Sequence, residues 1–377
     1  MINYILAYMI ESYSYINKYN HGVRSEDKNP FLSSSLSGDY KQLINIENVF
    51  RAWQNYSSGK SRKKEILEFW LDQERRIFAL HYELEKGIYK HSPYKKFVIC
   101  DPKERIIHKS ALVDRIIHQM IYNYLNPIFE DRFIFDTYAS IKYRGNHLAV
   151  KNFRIKCLRE SRGGRKEIWV LKCDIKKFFD SIDHEILFSL IERKVTDEKI
   201  LKLIRDILAS YNVSPSNGLP LGNLTSQLFA NIYLHELDYY VKHVLRIKNY
   251  IRFNDDFVII SENKNLLQDF SERIKAFLYH KLKLSLPDNK TSIGKFKWGI
   301  DFLGYIALPG GFLLRKKTKK RMFRKIEERN TEHLKNKISF NKRNQTINSY
   351  LGMTKNCNAF KLNQKVLFIS EVEQKYI

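Results

Sequence analysis

The chain has 377 residues and carries 66 lysines and arginines against 41 aspartates and glutamates, a formal net charge of +25. This length suits two or three subdomains around a shared core, and a hydrophobic share of 44% excludes a wholly disordered chain. A positive surplus of this size repels itself unless anions are near. It favours a nucleic-acid partner over an anionic membrane or over purely nonspecific binding.

Cysteine spacing and hydropathy indicate in which cellular compartment the protein is found. The four cysteines are widely scattered and form no CxxC pair, which argues against a zinc site or a disulfide framework: Cys100, Cys157, Cys173 and Cys357. Residues 1–20 are apolar in patches, but they lack a basic flank and Glu11 interrupts them well short of a membrane span. We therefore expect a cytoplasmic protein with no membrane partner, whose first residues pack on the body as a helix or strand.

In the N-terminal half, the sequence predicts a loop, a helix, a strand, a second helix and a turn, in that order. Residues 24–41 are rich in Ser and Asp and predict a loop, whereas 63–87 predicts a helix that stops at Gly87. Its apolar residues recur at helical spacing: Ile66, Leu67, Trp70, Leu71, Ile77, Phe78 and Leu80. YKKFVICDP then predicts a strand, residues 109–133 a helix, and Gly163-Gly164 a turn.

The C-terminal half alternates strands and helices. EIWVLKCDI (167–175) predicts a buried strand, HEILFSLIERK (184–194) a helix, and GLPLGN (218–223) a turn. Residues 224–245 predict a long helix, 249–261 a β-hairpin, 265–283 a helix and 299–314 another hairpin. The tail from 315 is rich in Lys and Arg and reads as mostly helical, with Leu313, Leu314, Met322, Phe323 and Ile326 as its apolar side.

Two acidic spots lie in apolar β contexts. Asp174 ends the strand WVLKCD, and Asp255 and Asp256 occupy the tip of the hairpin YIRFNDDFVII. Three such carboxylates could hold two divalent ions about 4 Å apart, an arrangement that stabilises the attacking and leaving oxygens of phosphoryl transfer. Taken alone, an Asp-Asp pair at a hairpin tip is an ordinary turn, and an Asp after a strand is an ordinary helix cap.

The sequence around these residues resembles the conserved blocks of reverse transcriptases. CDIKKFFDSIDHEIL (173–187) resembles motif A, GLPLGNLTSQLFANIYLHELD (218–238) motif B, and YIRFNDDFVII (250–260) motif C. LKLSLPDNKTSI (282–293) resembles motif D and GIDFLGY (299–305) motif E, while 100–121 and 136–150 resemble the two fingers motifs. Seven blocks in the family's order make a far more specific signal than any one of them.

This resemblance implies an α+β, right-hand polymerase fold with an antiparallel palm sheet and a helical thumb. It divides the chain into an N-terminal helical extension (1–90), fingers (91–167), palm (168–305, with a helical insertion at about 185–217) and a basic thumb (306–377). The residues after 305 suffice for a thumb of about three helices, whose basic face would follow a template–primer duplex. The plainer interpretation of that face is a solvated run of charge.

The resemblance also assigns roles to residues. Asp174, Asp255 and Asp256 match the carboxylates that bind two Mg²⁺ ions, with Mn²⁺ as an alternative ion. Lys290 matches the motif D lysine, a candidate acid for the departing pyrophosphate. Phe179, five residues after Asp174, matches the position under the sugar of the incoming nucleotide, where a ring would exclude a 2′-hydroxyl. Without the motifs, an exposed lysine and a core phenylalanine would be the plain interpretations.

Four further residues match positions that contact the nucleotide. Lys103 and Arg105 match the fingers residues that grip the triphosphate, for which a guanidinium fork is well shaped. Gly222 and Gln227 fall where motif B approaches the templating pair, and a glycine there permits close backbone contact. In the absence of the family pattern, the two basic residues would be read as solvated surface.

Two departures and the form of motif B bear on the subfamily. Motif C usually reads Tyr-x-Asp-Asp but is Phe253-Asn254-Asp255-Asp256 here, and Ile141 stands where relatives often carry Arg, with Lys142 and Arg144 nearby. The LTSQ form of motif B resembles diversity-generating retroelement enzymes. Related bacterial reverse transcriptases of antiviral defence share this layout, and the Phe-Asn departure favours them.

The implied substrates are an RNA template and deoxynucleotides, and the implied product is cDNA. A structured non-coding RNA, an accessory protein or a second copy of the chain would be further partners. Two other functions stay open at this point: a catalytically idle RNA-binding module, and a defence enzyme making repetitive or protein-primed DNA, for which the chain offers 23 tyrosines.

Overall fold

The computed structural model describes residues 40–100, 103–355 and 357–372. The predictions for residues 1–20, and most of the loop predicted for 24–41, lie outside these ranges. Of that loop, residues 40 and 41 begin a short helix, Tyr40–Leu43, which the sequence did not predict.

Three more helices follow before the first strand: Ile46–Ser57, Lys64–Trp70 and Gln73–Glu85. The single helix predicted for 63–87 is therefore wrong. It breaks at Asp72, whose φ of −134° is not helical and whose carboxylate accepts a hydrogen bond from Arg75 Nε at 2.9 Å. Asp has a low helix propensity in helix interiors, because its short polar side chain can compete for backbone hydrogen bonds, so it favours helix ends. Gly87 stops the second helix as predicted, with φ of 68°.

Burial also splits the apolar set of this segment. Ile66, Ile77 and Leu80 are buried, whereas Leu67, Trp70, Leu71 and Phe78 are exposed. Because the segment forms two short helices, each helix buries its own face. An apolar stripe drawn along one continuous helix therefore includes both buried and exposed residues.

A two-stranded ribbon follows. The predicted strand forms β1 (Lys95–Ile99), which pairs antiparallel with β2 (Arg105–Lys109), a strand the sequence did not predict. The helices Leu112–Glu130 and Asn146–Glu160 come next, and the turn at Gly163-Gly164 has positive φ at both residues, as glycine permits.

A four-stranded antiparallel sheet occupies the middle of the chain. Its strands are β3 (Trp169–Asp174), β4 (Tyr250–Phe253), β5 (Asp256–Ser261) and β6 (Thr291–Lys295), in the order β4-β5-β3-β6. Five helices lie between these strands in sequence: Phe178–Ser181, His184–Glu192, Glu198–Ala209, Leu224–Tyr239 and Lys264–Leu282. The long helix predicted for 224–245 is α-helical to Tyr239 and continues as a π-turn over Tyr240–Val244.

The second predicted hairpin is a three-stranded meander instead: β7 (Ile300–Phe302), β8 (Tyr305–Leu308) and β9 (Gly311–Leu314). The chain reverses twice, at Leu303-Gly304 with φ of 50° and 90°, and again at Pro309-Gly310. Its inner residues share one core with the four-stranded sheet, in which Phe153, Val258 and Phe302 are fully buried.

The C-terminal part consists of three helices, Lys316–Leu334, Phe340–Thr354 and Phe360–Val372, as the sequence predicted. They enclose a small core of their own: Met322, Ile326, Ile347 and Val366. The α+β class with an antiparallel sheet is confirmed. Among the described residues, no helix combines the length and apolarity needed to cross a membrane.

Candidate active site

Three aspartates lie at one end of the four-stranded sheet. Asp174 is the last residue of β3 and lies directly opposite Asp256, the first residue of β5, while Asp255 belongs to the turn that precedes it. Directly opposed residues of antiparallel strands have Cβ atoms about 5 Å apart on the same face of the sheet. The two sequence-distant acidic spots are thus neighbours in space.

The turn that carries Asp255 is as tight as a hairpin allows. Phe253 pairs with Asp256, so only Asn254 and Asp255 connect β4 to β5, and Asn254 has a φ of 51°. Asn enters this left-handed region more easily than other residues that have a Cβ, because its side chain hydrogen-bonds locally. Asn254, which belongs to the Phe-Asn departure in motif C, is therefore well suited to this position in the turn.

The carboxylates repel one another in a partly buried setting. Burial raises the pKa of Asp255, and the charge of Asp174 adds to this, while Lys290 and Arg105 act in the opposite direction. Burial likewise raises the pKa of Asp256 to about 6, with Asp255 and Asp174 adding to the rise and Lys172 and Arg315 opposing it. The site concentrates negative charge that a bound cation would stabilise.

Lys290 is the nearest cation. It ends the turn Asp288–Lys290 just before β6, and its Nζ donates a hydrogen bond to Asp174 Oδ1 at 2.9 Å. Because β6 pairs with β3, with Thr291 opposite Cys173, the sheet itself holds Lys290 beside Asp174. This hydrogen bond raises the pKa of Lys290, which keeps its ammonium charged.

The donor set fits hard divalent ions, since carboxylate oxygens are the ligands that Mg²⁺ and Mn²⁺ prefer. Within the described ranges, however, no three His, Cys, Asp or Glu side chains are gathered closely enough to hold a metal ion. Lys290 occupies one oxygen of Asp174 instead. Assignment of the three aspartates as metal ligands therefore stays a proposal.

A family model for "Reverse transcriptase (RNA-dependent DNA polymerase)" matches residues 93–307, more than half of the chain. The chain belongs to this reverse transcriptase family. The match confirms the resemblance seen in the motifs, and together with the antiparallel sheet it confirms the right-hand polymerase fold. We call the four-stranded sheet the palm sheet, the β1–β2 ribbon the fingers ribbon and the C-terminal helices the thumb, as the resemblance predicts, while the division of the chain into these domains stays a prediction.

The chain is similar to curated proteins of bacteria, fungi and plants, of which two are bacterial examples. The chain is 27% identical to the group II intron-encoded protein LtrA of Lactococcus lactis subsp. cremoris over 341 residues, covering 71% of this chain and 56% of that protein. It is 26% identical to protein YkfC of Escherichia coli strain K12 over 268 residues, covering 60% of this chain and 69% of that protein. The chain thus spans about half the length of LtrA.

Among solved structures, telomerase from Candida albicans with a fragment of telomeric RNA aligns at 15% identity and a TM-score of 0.44. The alignment covers 60% of this chain and 46% of the telomerase chain.

Motif B rests against the fingers ribbon. His108 N donates to Leu221 O at 3.0 Å, and Asn223 Nδ2 donates to His108 O at 3.1 Å. Between them, Gly222 has a φ of 110°, and a Cβ at this position would lie 2.8 Å from Ile107 Cγ2. The glycine is required here for close approach to β2, a reason the sequence did not reveal.

Phe179 lies at the palm side of the same loop. It belongs to the short helix Phe178–Ser181, is half-buried, and its carbonyl accepts a hydrogen bond from Leu219 N at 2.7 Å. Motif A and the start of motif B are joined through this contact. The position of Phe179 is compatible with a role at the nucleotide sugar, which stays a prediction.

The two basic fingers residues are exposed, Lys103 before β2 and Arg105 at its start. The charge of Arg105 reaches Asp255, where it opposes the rise that burial causes in the pKa of that carboxyl. The structure thus relates Arg105 electrostatically to the carboxylate site, and leaves Lys103 on the surface of the ribbon.

Gln227 of the motif B helix is exposed, and its Oε1 accepts a hydrogen bond from Ser140 Oγ at 3.1 Å. Ile141 is buried at 8% exposure, so it contributes to packing. Arg144 Nη1 donates to the carbonyls of Ile134 and Thr137 at 2.9 and 2.7 Å, which commits its guanidinium to the loop. Of the two basic neighbours of Ile141, Lys142 is the exposed one.

Arg252 and Asp238 form a buried ion pair that the sequence did not predict. Both side chains have 0% exposure, and Arg252 Nη2 lies 2.6 Å from Asp238 Oδ2. The signal was present as one charge inside the apolar strand YIRF and another on the apolar side of the helix LHELDYY. Two buried charges of opposite sign require each other.

Proposed function

We propose that the protein is an RNA-directed DNA polymerase that makes cDNA from an RNA template and deoxynucleotides by two-metal-ion nucleotidyl transfer. The observation that supports this most is the meeting of Asp174, Asp255 and Asp256 at one end of the palm sheet, where burial and mutual repulsion raise two of their pKa values. A site that disfavours its own charges in the absence of a cation is suited to binding one.

The proposed roles follow from the positions of the side chains. Asp174, Asp255 and Asp256 would hold two Mg²⁺ ions, which when bound supply a lowered pKa at a primer 3′-hydroxyl and neutralise triphosphate charge. Lys290, already hydrogen-bonded to Asp174, would protonate the departing pyrophosphate.

Recognition of the nucleotide falls to the surrounding residues. Lys103 and Arg105, exposed on the ribbon, would bind the triphosphate, for which Arg offers a planar fork of donors. Phe179 would exclude a 2′-hydroxyl. Gly222 and Gln227 would approach the templating pair, Gln227 from the exposed side of the motif B helix.

Metal dependence tests the catalytic proposal. Asp255→Asn removes one carboxylate charge at nearly constant volume, and we expect it to abolish Mg²⁺-dependent DNA synthesis. Asp269→Asn, which alters an exposed helix residue, is the matched control and is expected to retain activity. Normal synthesis by Asp255→Asn would contradict the metal assignment, and tight RNA binding by a wild-type protein that incorporates no nucleotide would favour an idle binding module.

For the biological role, we propose a diversity-generating retroelement, on the basis of the LTSQ form of motif B with Gln227 beside Ser140. The relatives named above include a group II intron protein, so the proposal concerns a branch of the same enzyme family. A structured non-coding RNA would be the template, and an accessory protein or a second copy would complete the complex. The alternative is antiviral defence, which the Phe253-Asn254 departure favours.

Sequencing of the product distinguishes the two roles. The protein is purified with its bound RNA and supplied with Mg²⁺ and labelled deoxynucleotides. Product that copies the bound RNA with substitutions concentrated at adenines supports the retroelement role. Homopolymeric or repetitive DNA, or DNA covalently joined to a tyrosine of the protein, supports defence instead.

A further inference from the structure

The Arg252–Asp238 pair is the most deeply buried ionic contact that the structure describes, with 0% exposure on both sides. It is bidentate: Arg252 Nε donates to Asp238 Oδ1 at 2.7 Å, and Nη2 donates to Oδ2 at 2.6 Å. Asp238 also accepts hydrogen bonds from Tyr250 OH and from Thr137 Oγ1, each at 2.8 Å. Its carboxylate is therefore satisfied by three residues from two segments, the strand β4 and the loop that carries Thr137.

The free edge of the guanidinium points toward the catalytic turn. Arg252 Nη1 lies 3.3 Å from the carbonyl oxygen of Asn254, the residue immediately before Asp255, and 3.3 Å from Asn231 Oδ1 of the motif B helix. Because Asn254 is in the left-handed region, its peptide group has few alternative orientations. A donor fixed on that carbonyl sets the direction in which the chain enters Asp255 and Asp256.

The backbone of Arg252 is anchored as well. β4 is an edge strand of the palm sheet, and the start of the second fingers motif covers that edge. Arg252 N donates to Asp136 O at 2.9 Å, and Tyr138 N donates to Arg252 O at 3.0 Å. The strand β4, the motif B helix and the fingers segment are thus joined by contacts of the single residue Arg252.

Stability alone does not explain this pair. Apolar residues of similar volume often replace a buried ion pair without loss of stability, whereas removal of one partner leaves an uncompensated charge. What apolar residues cannot supply is a rigid, directional donor, and a guanidinium held on two sides by a carboxylate is such a donor.

We propose that Arg252 is a positioning residue for the polymerase site. Held by Asp238, it fixes the Asn254 carbonyl and thereby orients Asp255 and Asp256 toward the metal ions. This inference rests on the proposed function, because it assumes that the two aspartates bind metal.

The test uses a double variant, Arg252→Gln with Asp238→Asn, which removes both charges and keeps hydrogen-bonding groups in place. Mn²⁺ binding to the full chain, followed by the electron paramagnetic resonance signal of free Mn²⁺, reports on the carboxylates without requiring DNA synthesis. We expect a melting temperature close to wild type, Mn²⁺ affinity about tenfold lower, and kcat lower by about 100-fold with the deoxynucleotide KM unchanged.

Two further variants control for folding. Arg252→Lys keeps the charge but loses the planar fork, and it is expected to share the catalytic defect. Arg343→Gln removes a buried arginine of the thumb, where Nε donates to Asn330 Oδ1 at 2.8 Å, and it is expected to lower stability with Mn²⁺ affinity unchanged.

Failure of the inference and failure of the proposed function give different results. If Asp255→Asn weakens Mn²⁺ binding while the double variant binds Mn²⁺ and polymerises like wild type, Arg252 does not position the site. If Asp255→Asn changes neither Mn²⁺ affinity nor DNA synthesis, the metal assignment is wrong, and the inference is overturned with it.

Discussion

Asp256 carries the most strongly perturbed of the active-site carboxyl groups. Burial raises its pKa to about 6, above the 3.8 expected of an unfolded aspartate, so its favourable contribution is complete below 3.8 and is lost as pH rises through 6. We expect Asp256→Asn to abolish activity but to stabilise the metal-free protein at pH 8 by about 1–3 kcal/mol. Thermal melts in EDTA measure this, and the gain should shrink toward pH 4. An equal gain from Asp269→Asn would attribute it to net charge instead.

Sugar selection is a second property of a single residue. Phe179 is half-buried beside the motif B loop, where its backbone contacts Leu219. We expect Phe179→Ala to raise the efficiency of ribonucleotide relative to deoxynucleotide incorporation by about 10- to 100-fold, because a steric barrier is removed. Single-nucleotide extension with each substrate gives the ratio of kcat/KM values. The adjacent Phe178, 2% exposed, supplies the control, since Phe178→Leu should alter stability and leave the ratio unchanged.

At the scale of elements, the contact between the motif B loop and the fingers ribbon depends on one glycine. Gly222→Ala would combine strain at φ of 110° with a Cβ only 2.8 Å from Ile107 Cγ2. We expect a loss of about 2–3 kcal/mol in the free energy of unfolding, measured by urea denaturation. Gly87→Ala has a φ of 68° and open space around its Cβ, so it should lose about 1 kcal/mol. Equal losses in the free energy of unfolding of the two variants would mean that the Ile107 side chain moves aside without an energetic cost.

The contact between the helix Leu112–Glu130 and the motif B helix is sensitive to pH. Burial lowers the pKa of His118 to about 3, aided by His91 and Arg115, and His118 Nδ1 lies 2.7 Å from Thr225 Oγ1 of the motif B helix. A neutral histidine with a folded pKa below its unfolded value of about 6.5 loses stability as pH falls from 6.5 toward 3.

We therefore expect the wild-type protein to lose about 2 kcal/mol between pH 6.5 and 5 through this group, and His118→Gln to flatten that dependence. Denaturation at several pH values measures it. His280→Gln, at an exposed position of the helix Lys264–Leu282, should keep the wild-type slope. If both variants behave alike, the pH dependence arises elsewhere.

For the whole molecule, the sequence predicted what depends on local periodicity and on the order of motifs. A short apolar run predicted β3, two strand-like arms around a polar centre predicted the β4–β5 hairpin, and the resemblance to the family's motifs predicted that Asp174 and Asp255 would lie close together. The break at Asp72 depends on one residue inside an otherwise helical apolar pattern, and periodicity alone does not register it. The pairing of Arg252 with Asp238 depends on a tertiary contact between a strand and a helix, which local pattern does not encode. The same holds for Gly222, whose reason lies in a strand more than a hundred residues away.

The charge of +25 leads to a prediction for the assembled molecule. Lys317 and Lys320 are exposed on the thumb helix Lys316–Leu334, which we propose follows the template–primer duplex. Removal of one lysine that neutralises a phosphate should reduce the slope of log affinity against log salt concentration by about 0.7–0.9. The double variant Lys317→Gln with Lys320→Gln should therefore bind an RNA–DNA duplex more weakly at low salt, with a slope reduced by about 1.5. Fluorescence anisotropy across a salt series measures both quantities.

The matched control for the thumb lysines is Lys64→Gln, at a position with 90% side-chain exposure on an N-terminal helix. It changes the net charge without altering the proposed duplex path. If the slope falls by the same amount per charge in both proteins, binding follows net charge alone, and the thumb helix is then a solvated run of charge. If the slope falls only in the thumb variant, the lysines of this one helix contact the duplex. The rest of the positively charged surface then contributes to the approach of the nucleic acid rather than to its bound position.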